Sequence, residues 1–152
     1  MIDERTGEIT IPIDNFRIHK DLNEKELTDS LYYNNYLREK SDMKTGYIWY
    51  YFSPVSLMNR EIIFVLCLRN GTLDRVEFCV DSNDLPSSWS NWSEEGELKR
   101  KQLNEELLFR IFNDGVKRNK FPERYDFTWG HIISVYDQKS GGSDIILRYN
   151  KD

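Results

Sequence analysis

One dipeptide, Asn70-Gly71, restricts the fold of this chain more than any other feature. It separates the continuous apolar run Glu61–Arg69 from Thr72–Asp81, in which apolar and polar residues alternate. Asn-Gly between two strand-like segments is the strongest local signal for a two-residue β-hairpin, because both turn residues must adopt positive φ. We therefore expect two long antiparallel strands joined by this turn.

The turn also predicts which faces the two strands present. If Arg69 pairs with Thr72, one face is apolar on both strands and is expected to face the core. The pairs on that face are Ile63 with Phe78 and Val65 with Val76. The same register places Cys67 and Cys79 on opposite faces, which excludes a disulfide between them. We expect both cysteines to be buried as small apolar residues.

One helix is expected before this hairpin and one after it. Asn23 is suited to cap a short helix, with Glu26 three residues later, that ends within Ser30–Tyr36. A longer helix begins at Asn91 or Ser93 and reaches the stop signal Asn113-Asp114-Gly115. Its apolar stripe consists of Leu103, Leu107, Leu108, Ile111 and Phe112. Its charged residues are expected to lie mainly off that stripe, namely Lys99, Arg100, Lys101, Glu105 and Glu106.

The remaining strands complete the predicted fold. They are Ile9–Ile13, Tyr47–Ser53 and a closing hairpin of Ile132–Tyr136 and Asp144–Tyr149, which the basic connector Lys117–Arg124 precedes. The element order is therefore β-α-β-β-β-α-β-β. We expect an α+β fold, a single domain over residues 1–152, with one antiparallel sheet of about six strands and one short and one long helix packed on one face.

Charge and hydrophobicity exclude several classes of function. The net charge is −5 at pH 7 and the sequence pI is about 5.2. A protein that binds nucleic acid needs a basic face, so no nucleic-acid partner is expected. The longest apolar run, Ile62–Leu68, is far shorter than the roughly 18 residues of a membrane span. Because the charged N-terminus also does not fit a signal peptide, we expect a cytoplasmic protein without membrane association.

The sequence holds few residues that could perform chemistry. The two histidines, His19 and His131, do not stand at metal-site spacings, and no Ser or Cys has the sequence context of a nucleophile. We therefore expect no catalytic residue, no metal and no cofactor. The remaining enzymatic alternative is acid–base chemistry by His131 and Asp137.

The tryptophans are a better indication of function. Trp and Tyr dominate the energetics of protein interfaces, but in strands they usually build the core. Trp49 and Trp129 lie in strand-like segments and are expected in the core. Trp89 lies in the polar, turn-rich segment Asp81–Trp92. Its side chain either covers the rim of the core or is exposed as part of an interface, and the sequence does not decide between the two.

Four features of the chain occur together. The first two are an Ile-x-Ile strand followed by a capped helix, Ile9–Leu31, and a strand pair with a Gly turn, Ile62–Val80. The third is the entry to a charged helix through Trp89, Trp92, Ser93, Glu94 and Glu95. The fourth is the closing motif of Phe127, Trp129, Gly130, Ile132, Ser134, Tyr136, Asp137, Lys139, Ser140 and Gly141. Through these features nearly the whole chain resembles small bacterial immunity-type proteins that are encoded beside polymorphic or contact-dependent growth inhibition toxins. It departs from that pattern at His131, where an acidic residue is expected.

The resemblance implies a non-enzymatic protein that binds a cognate toxin stoichiometrically and blocks it. The implied toxin is a basic protein, such as a nuclease, whose cleft an acidic surface can occupy. The expected partner-binding residues are Asp81, Asp84, Trp89, Glu94 and Glu95. The expected structural residues are Trp129, Gly130, Tyr136, Asp137, Lys139 and Gly141. The alternative function is a small-molecule or peptide-binding module that uses an aromatic-lined groove between the sheet and the long helix.

Overall fold

The computed structural model describes residues 1–112 and 121–151. Within them the strands are β1 (Ile9–Ile11), β2 (Phe16–Ile18), β3 (Leu37–Asp42), β4 (Tyr47–Phe52), β5 (Val55–Leu57), β6 (Arg60–Arg69), β7 (Thr72–Asp81), β8 (Arg124–Phe127), β9 (Gly130–Asp137) and β10 (Gly142–Tyr149). The helices are α1 (Glu24–Thr28), α2 (Leu31–Tyr36) and α3 (Glu94–Phe112). The predicted stop signal Asn113-Asp114-Gly115 and the first part of the basic connector, from Lys117 to Lys120, lie outside the described residues.

The strands form two antiparallel sheets, which confirms a mixed α+β fold with antiparallel pairing. The main sheet has eight strands. Seven follow the order β3-β4-β6-β7-β10-β9-β8, and the eighth, β5, pairs with β6. Strands β1 and β2 pair with each other in a separate sheet. The prediction of about six strands in one sheet is wrong. Asp14 and Asn15 both adopt positive φ, so the chain reverses there and pairs Ile9 with Ile18. The added edge strand β3, with the sequence LREKSD, has no apolar alternation, and such charged edges protect sheets from pairing with other chains.

The single short helix predicted after Asn23 is also wrong, because the structure has two. Asn23 is the N-cap of α1, since its side chain accepts the Glu26 N–H at 2.8 Å. The side chain of Ser30 then accepts the Tyr33 N–H at 3.0 Å and begins α2. A serine hydroxyl that caps the following turn competes with continuation of the preceding helix, which explains the break.

The Asn70-Gly71 turn is present, but the register beyond it is shifted. Both turn residues have positive φ, and Arg69 pairs with Thr72 as predicted. Asp74 is an extra residue in β7, so Cys67 pairs with Arg75. The predicted pairs are therefore wrong, and the pairs that face the core are Ile62 with Val80, Phe64 with Phe78 and Leu66 with Val76. A bulge of one residue has this effect because neighbouring side chains of a strand point to opposite faces.

The shift also corrects the placement of the cysteines. Cys67 pairs with Arg75 and Cys79 with Ile63, so both cysteines lie on the same face of the sheet rather than on opposite faces. Both are free thiols. They are four residues apart along the paired strands, about 13 Å, which is too far for a disulfide.

The main sheet is covered on one face. Buried residues of β1 and β2 pack on that face together with α2, whose Tyr32 ring stacks on Phe52 at 4.3 Å, and α3, which contributes Leu107 and Leu108. In the described residues no helix or strand packs on the opposite face, which we call the open face. None of the described helices is both long and apolar enough to cross a membrane.

Candidate functional site

Residues 82–95 and the β9–β10 turn, residues 137–142, together form a surface that we call the tryptophan corner. Asn91 organises the first segment by accepting the Ser88 N–H at 3.0 Å, next to the 3₁₀ turn Trp89–Asn91. Trp89 is 75% exposed, and its ring centroid lies 5.8 Å from that of Trp92. The Nε1–H of Trp92 donates to the carbonyl oxygen of Gly141 at 2.8 Å. Of the two placements open to Trp89, the structure has the exposed one.

The β9–β10 turn is shaped to receive the two tryptophans. Gly141 has φ 73°, and a Cβ atom there would lie 2.9 Å from Trp92 Nε1 and 3.3 Å from the Trp89 ring. Asp137 closes the turn, because its side chain accepts the Lys139 N–H at 2.9 Å and its carbonyl accepts the Gly141 N–H at 2.7 Å. Only a residue without a side chain allows both the positive φ and this close approach.

The other end of the closing motif also makes contacts within the chain. Trp129 is half-buried, stacks on Phe127 at 4.7 Å and donates its Nε1–H to the Glu4 carbonyl at 2.8 Å. A Cβ atom on Gly130 would lie 2.0 Å from the carbonyl oxygen of Arg148. The motif therefore joins the N-terminal segment, β9 and β10. Tyr136 of the same motif is half-buried.

A buried polar cluster fixes α3 against the sheet beside the tryptophan corner. β7 and β10 pair only as far as Phe78 and Ile145, so the backbone groups beyond these residues need other partners. Asn104, fully buried, accepts the Val80 N–H at 2.8 Å and donates to the Ser143 carbonyl at 3.4 Å. Two further side chains of α3 hydrogen-bond to the other backbone groups of Val80 and Ser143. Arg100 donates to the Val80 carbonyl, and Glu97 accepts the Ser143 N–H.

This cluster overturns part of the helix prediction. Arg100 and Glu105 were expected on the solvent side of α3, and both are buried. Arg100 also forms an ion pair with Glu97, and Glu105 accepts a hydrogen bond from Ser134 at 3.3 Å. Burial of these charges is tolerated because each has charged or hydrogen-bonding partners. Of the two residues predicted to begin α3, Ser93 is the N-cap, since its hydroxyl accepts the Gly96 N–H at 3.0 Å.

The five predicted partner-binding residues lie on or beside the tryptophan corner in different environments. Glu94 and Glu95 are exposed at the start of α3. Asp84 is exposed and bonded to Lys99 at 2.5 Å, which lowers the pKa of its carboxyl to about 2. Asp81 is partly buried, with its Oδ1 atom 3.8 Å from Arg100. Among these five residues, free negative charge therefore comes mainly from the two glutamates.

A second surface lies on the open face of the main sheet, and sequence reasoning missed it. Two adjoining cavities of about 480 and 580 Å³ share Trp49 and Arg75, and we call the pair the open-face groove. Trp49 was expected in the core; it lies on the open face because the alternation of β4 buries Tyr50 and Phe52 instead. The alternative function places an aromatic-lined groove between the sheet and α3, and in the structure α3 packs on β7, β9 and β10.

Charges of opposite sign occupy the two ends of the open-face groove. The larger cavity, next to the β9–β10 turn, is lined by the carboxylates of Glu77, Asp137 and Asp144. The smaller cavity is lined by three arginines, Arg69, Arg75 and Arg148, and by Asp74. We call these the acidic end and the basic end of the groove.

Arg75 connects the two ends. Its guanidinium lies 4.8 Å from the centroid of the Trp49 ring, within the range of a cation–π interaction. Its Nε atom is 3.3 Å from Glu77 Oε2 but makes no hydrogen bond of good geometry. Arg148, at the basic end, lies 4.0 Å from Asp74. The contacts with Trp49 and Glu77 hold the Arg75 side chain over the centre of the groove.

The acidic end contains a carboxyl group with an unusual pKa. Burial, and secondarily the neighbouring charge of Glu77, raise the pKa of Asp144 to about 6. Burial also raises the pKa of Glu77 itself. Within the described part of the chain, the carboxylate of Asp144 has no ion-pair partner within 4.0 Å. A charge is thus held in a partly desolvated position without direct compensation.

The residues of the enzymatic alternative are not brought together. His131 and Asp137 lie at opposite ends of β9, six residues apart, which is about 20 Å along a strand. His131 instead pairs across the sheet with Asp126 and Arg148. Burial raises the pKa of the Cys67 thiol to about 11, which disfavours the thiolate that a nucleophile requires. Among residues 1–112 and 121–151 no group of His, Cys, Asp and Glu is arranged to hold a metal ion.

Comparison with known proteins relates the fold to a toxin–immunity complex. The chain matches no family model and no curated protein. Its fold matches a chain in the solved structure of Rhs1-CT in complex with cognate immunity protein RhsI1, with a TM-score of 0.57. The match covers 98% of this chain and 86% of that chain at 11% sequence identity. At this identity the likeness shows that the two chains share a fold.

Proposed function

We propose that this chain is an immunity protein that acts in the cytoplasm, where it binds a cognate basic toxin stoichiometrically and blocks it. The observation that carries the proposal is the tryptophan corner, where Trp89 is 75% exposed beside the exposed carboxylates of Glu94 and Glu95. Exposed tryptophan is typical of the residues that dominate protein–protein binding energy. The fold shared with a chain of a toxin–immunity complex supports the same function.

The charge of the chain supports a basic partner. Its net charge is −5, and part of that charge lies at the corner on two exposed glutamates, which have no cationic partner within 4.0 Å among the described residues. Complementary charge speeds the encounter of two proteins. An acidic surface can also occupy a cleft built for phosphate groups, such as that of a nuclease. Inhibition would follow from occupancy of the cleft, without any reaction on the immunity protein.

Co-expression with the adjacent gene tests the proposed function. If the product of that gene is the cognate toxin, it stops growth when expressed alone, and co-expression of this chain restores growth. The two proteins should also co-purify at equal stoichiometry. Continued growth arrest together with a failure to co-purify would contradict the proposal.

Surface variants test the assignment of the tryptophan corner. Trp89→Ala combined with Glu94→Lys and Glu95→Lys removes the exposed ring and reverses the free charge, without touching the bond between Asp84 and Lys99. We expect the variant to lose growth rescue, because central aromatic residues supply much of the binding energy and complementary charge speeds association. A matched control is Asp21→Lys, an exposed carboxylate beyond the other end of β7. Equal growth rescue by both variants would show that the tryptophan corner is not part of the toxin interface.

A second candidate function is a small-molecule or peptide-binding module. The cavities that reach Trp49 favour it, since their volumes lie within the range of ligand sites. In that case the chain neither restores growth nor co-purifies with the adjacent gene product. The same co-expression experiment therefore separates the two functions.

A further inference from the structure

We infer that the open-face groove is the second half of the toxin-binding surface, and that it receives an extended segment of the toxin with a basic side chain in the acidic end. This inference rests on the proposed function and adds the site and the chemistry of the bound segment. It concerns a face of the sheet distinct from the face that carries the helices.

The dimensions of the groove fit an extended polypeptide. It runs diagonally over the sheet, from Asp144 on β10 across β7 and β6 to Tyr47 on β4. That path covers six residues along the strands and three strand spacings, which together correspond to about 24 Å. An extended chain rises about 3.3 Å per residue, so about seven residues of a partner span the groove.

The charges of the groove define the chemistry of the segment. The acidic end presents three carboxylates and the basic end three arginines, and Asp144 and Arg148 are four residues apart on the same strand, about 13 Å. A segment with a Lys or Arg about four residues from an Asp or Glu is complementary to both ends. The basic side chain also supplies the cation that Asp144 lacks among the described residues.

The centre of the groove has the composition of an interface hot spot. Trp49 and Tyr51 of β4 line it together with Arg75 of β7. Trp, Tyr and Arg are the residue types that dominate binding energy, and Arg75 is already held by Trp49 and Glu77. A side chain fixed before binding loses less conformational entropy in the complex.

A protein segment fits the groove better than a small molecule does. Small-molecule sites are mostly apolar and enclose their ligand, whereas this groove is charged at both ends and open along its length. It is also continuous with the tryptophan corner, because Ser140 lines the acidic end and the next residue, Gly141, contacts both tryptophans. One partner can therefore cover both surfaces across the β9–β10 turn.

Two double variants test the inference by neutralising each end separately. Glu77→Gln with Asp144→Asn removes charge from the acidic end with little change in side-chain size. Arg69→Gln with Arg148→Gln removes charge from the basic end and also shortens both side chains. Binding to the purified product of the adjacent gene is measured by calorimetry at low and at moderate salt. We expect each double variant to bind about tenfold more weakly or worse, and the loss to be smaller at higher salt.

A control variant and the unaltered chain distinguish the possible failures. Glu4→Gln with Asp29→Asn neutralises two exposed carboxylates on segments outside the open face, and it should bind within about twofold of the unaltered chain. If the unaltered chain binds the toxin and both groove variants bind equally well, the groove inference is wrong while the proposed function stands. If the unaltered chain does not bind the toxin, the proposed function fails and the inference falls with it.

Discussion

Replacement of Asp144 by asparagine should stabilise the protein at neutral pH. Burial and the neighbouring charge of Glu77 raise the pKa of this carboxyl from 3.8 to about 6 in the folded protein. In the unfolded chain the carboxyl ionises near its ordinary value of about 4. Each pH unit between the two values corresponds to about 1.4 kcal/mol, so ionised Asp144 lowers the stability of the folded state by up to about 3 kcal/mol.

The sign of this effect gives a defined pH window. Because the folded state has the higher pKa, it binds the proton more tightly, and the resulting stabilisation is complete below about pH 4. It is lost as the pH rises through about 6. The Asp144→Asn variant has no ionisable group at this position, so it should gain stability relative to the unaltered chain between these values. The free energy of unfolding of the variant minus that of the unaltered chain should be about 2–3 kcal/mol larger at pH 7.5 than at low pH.

Urea unfolding of the unaltered chain and the Asp144→Asn variant from pH 4 to pH 7.5 measures this difference. Asp137→Asn is the matched control, because the backbone N–H of Lys139 lowers the pKa of Asp137 below its ordinary value of about 4, so its stability difference from the unaltered chain should change little from pH 4 to pH 7.5. A stability difference between the Asp144→Asn variant and the unaltered chain that does not change with pH would refute the reasoning.

Four further substitutions test the scaffold. Asn104→Leu leaves buried backbone groups of β7 and β10 unpaired and should lower the free energy of unfolding by about 3 kcal/mol, measured in urea. Gly130→Ala places a methyl group 2.0 Å from the Arg148 carbonyl and should cost about 3 kcal/mol or more, seen as a lower melting temperature. Tyr149→Phe removes a buried hydroxyl that donates to the backbone at 2.7 Å and should cost about 1 kcal/mol in the same assay. Trp89→Ala should change stability by less than about 0.5 kcal/mol, and a larger loss would indicate a packing role for this exposed ring.

Local signals in the sequence predicted the elements whose causes are local. The Asn70-Gly71 turn, the cap at Asn23 and the apolar stripe of α3 each depend on residues a few positions apart. The register of β6 and β7 depends on one extra residue, Asp74, and the turn signal contains no information about it. A second signal was available, since the buried residues of β7 step from Leu73 to Val76 by three positions instead of two.

That single step and the placement of Trp49 together explain why the open-face groove was missed. With the predicted register Val65 belonged to the core, and Trp49 was read as a core residue as well. With the observed register both line the groove beside Arg75 and Glu77. A bulge therefore changes the predicted site as well as the predicted packing, because it exchanges the faces of a whole strand.

The buried polar cluster could not be predicted from the pattern of α3. Glu97, Arg100 and Asn104 are residue types of a solvent-exposed helix face, and in this chain they are buried. They are buried because β7 and β10 separate beyond Phe78, which leaves backbone groups that only polar side chains can satisfy. The separation of two strands distant in sequence is a property of the assembled sheet, and no local rule indicates it.

The closing hairpin links the scaffold to both candidate surfaces. Gly141 lies against Trp89 and Trp92 on one side, while its neighbour Ser140 lines the acidic end of the groove on the other. The β9–β10 turn is thus the common support of the tryptophan corner and the groove. Asp144, three residues beyond Gly141, holds a charge that destabilises the folded state, and a stabilising asparagine would fit the same position. A costly charge on an open groove is expected where a residue serves binding rather than folding, since stability and function commonly oppose each other at such positions. The same carboxylate therefore connects the two experiments: Asp144→Asn should strengthen the fold and weaken the binding of the toxin.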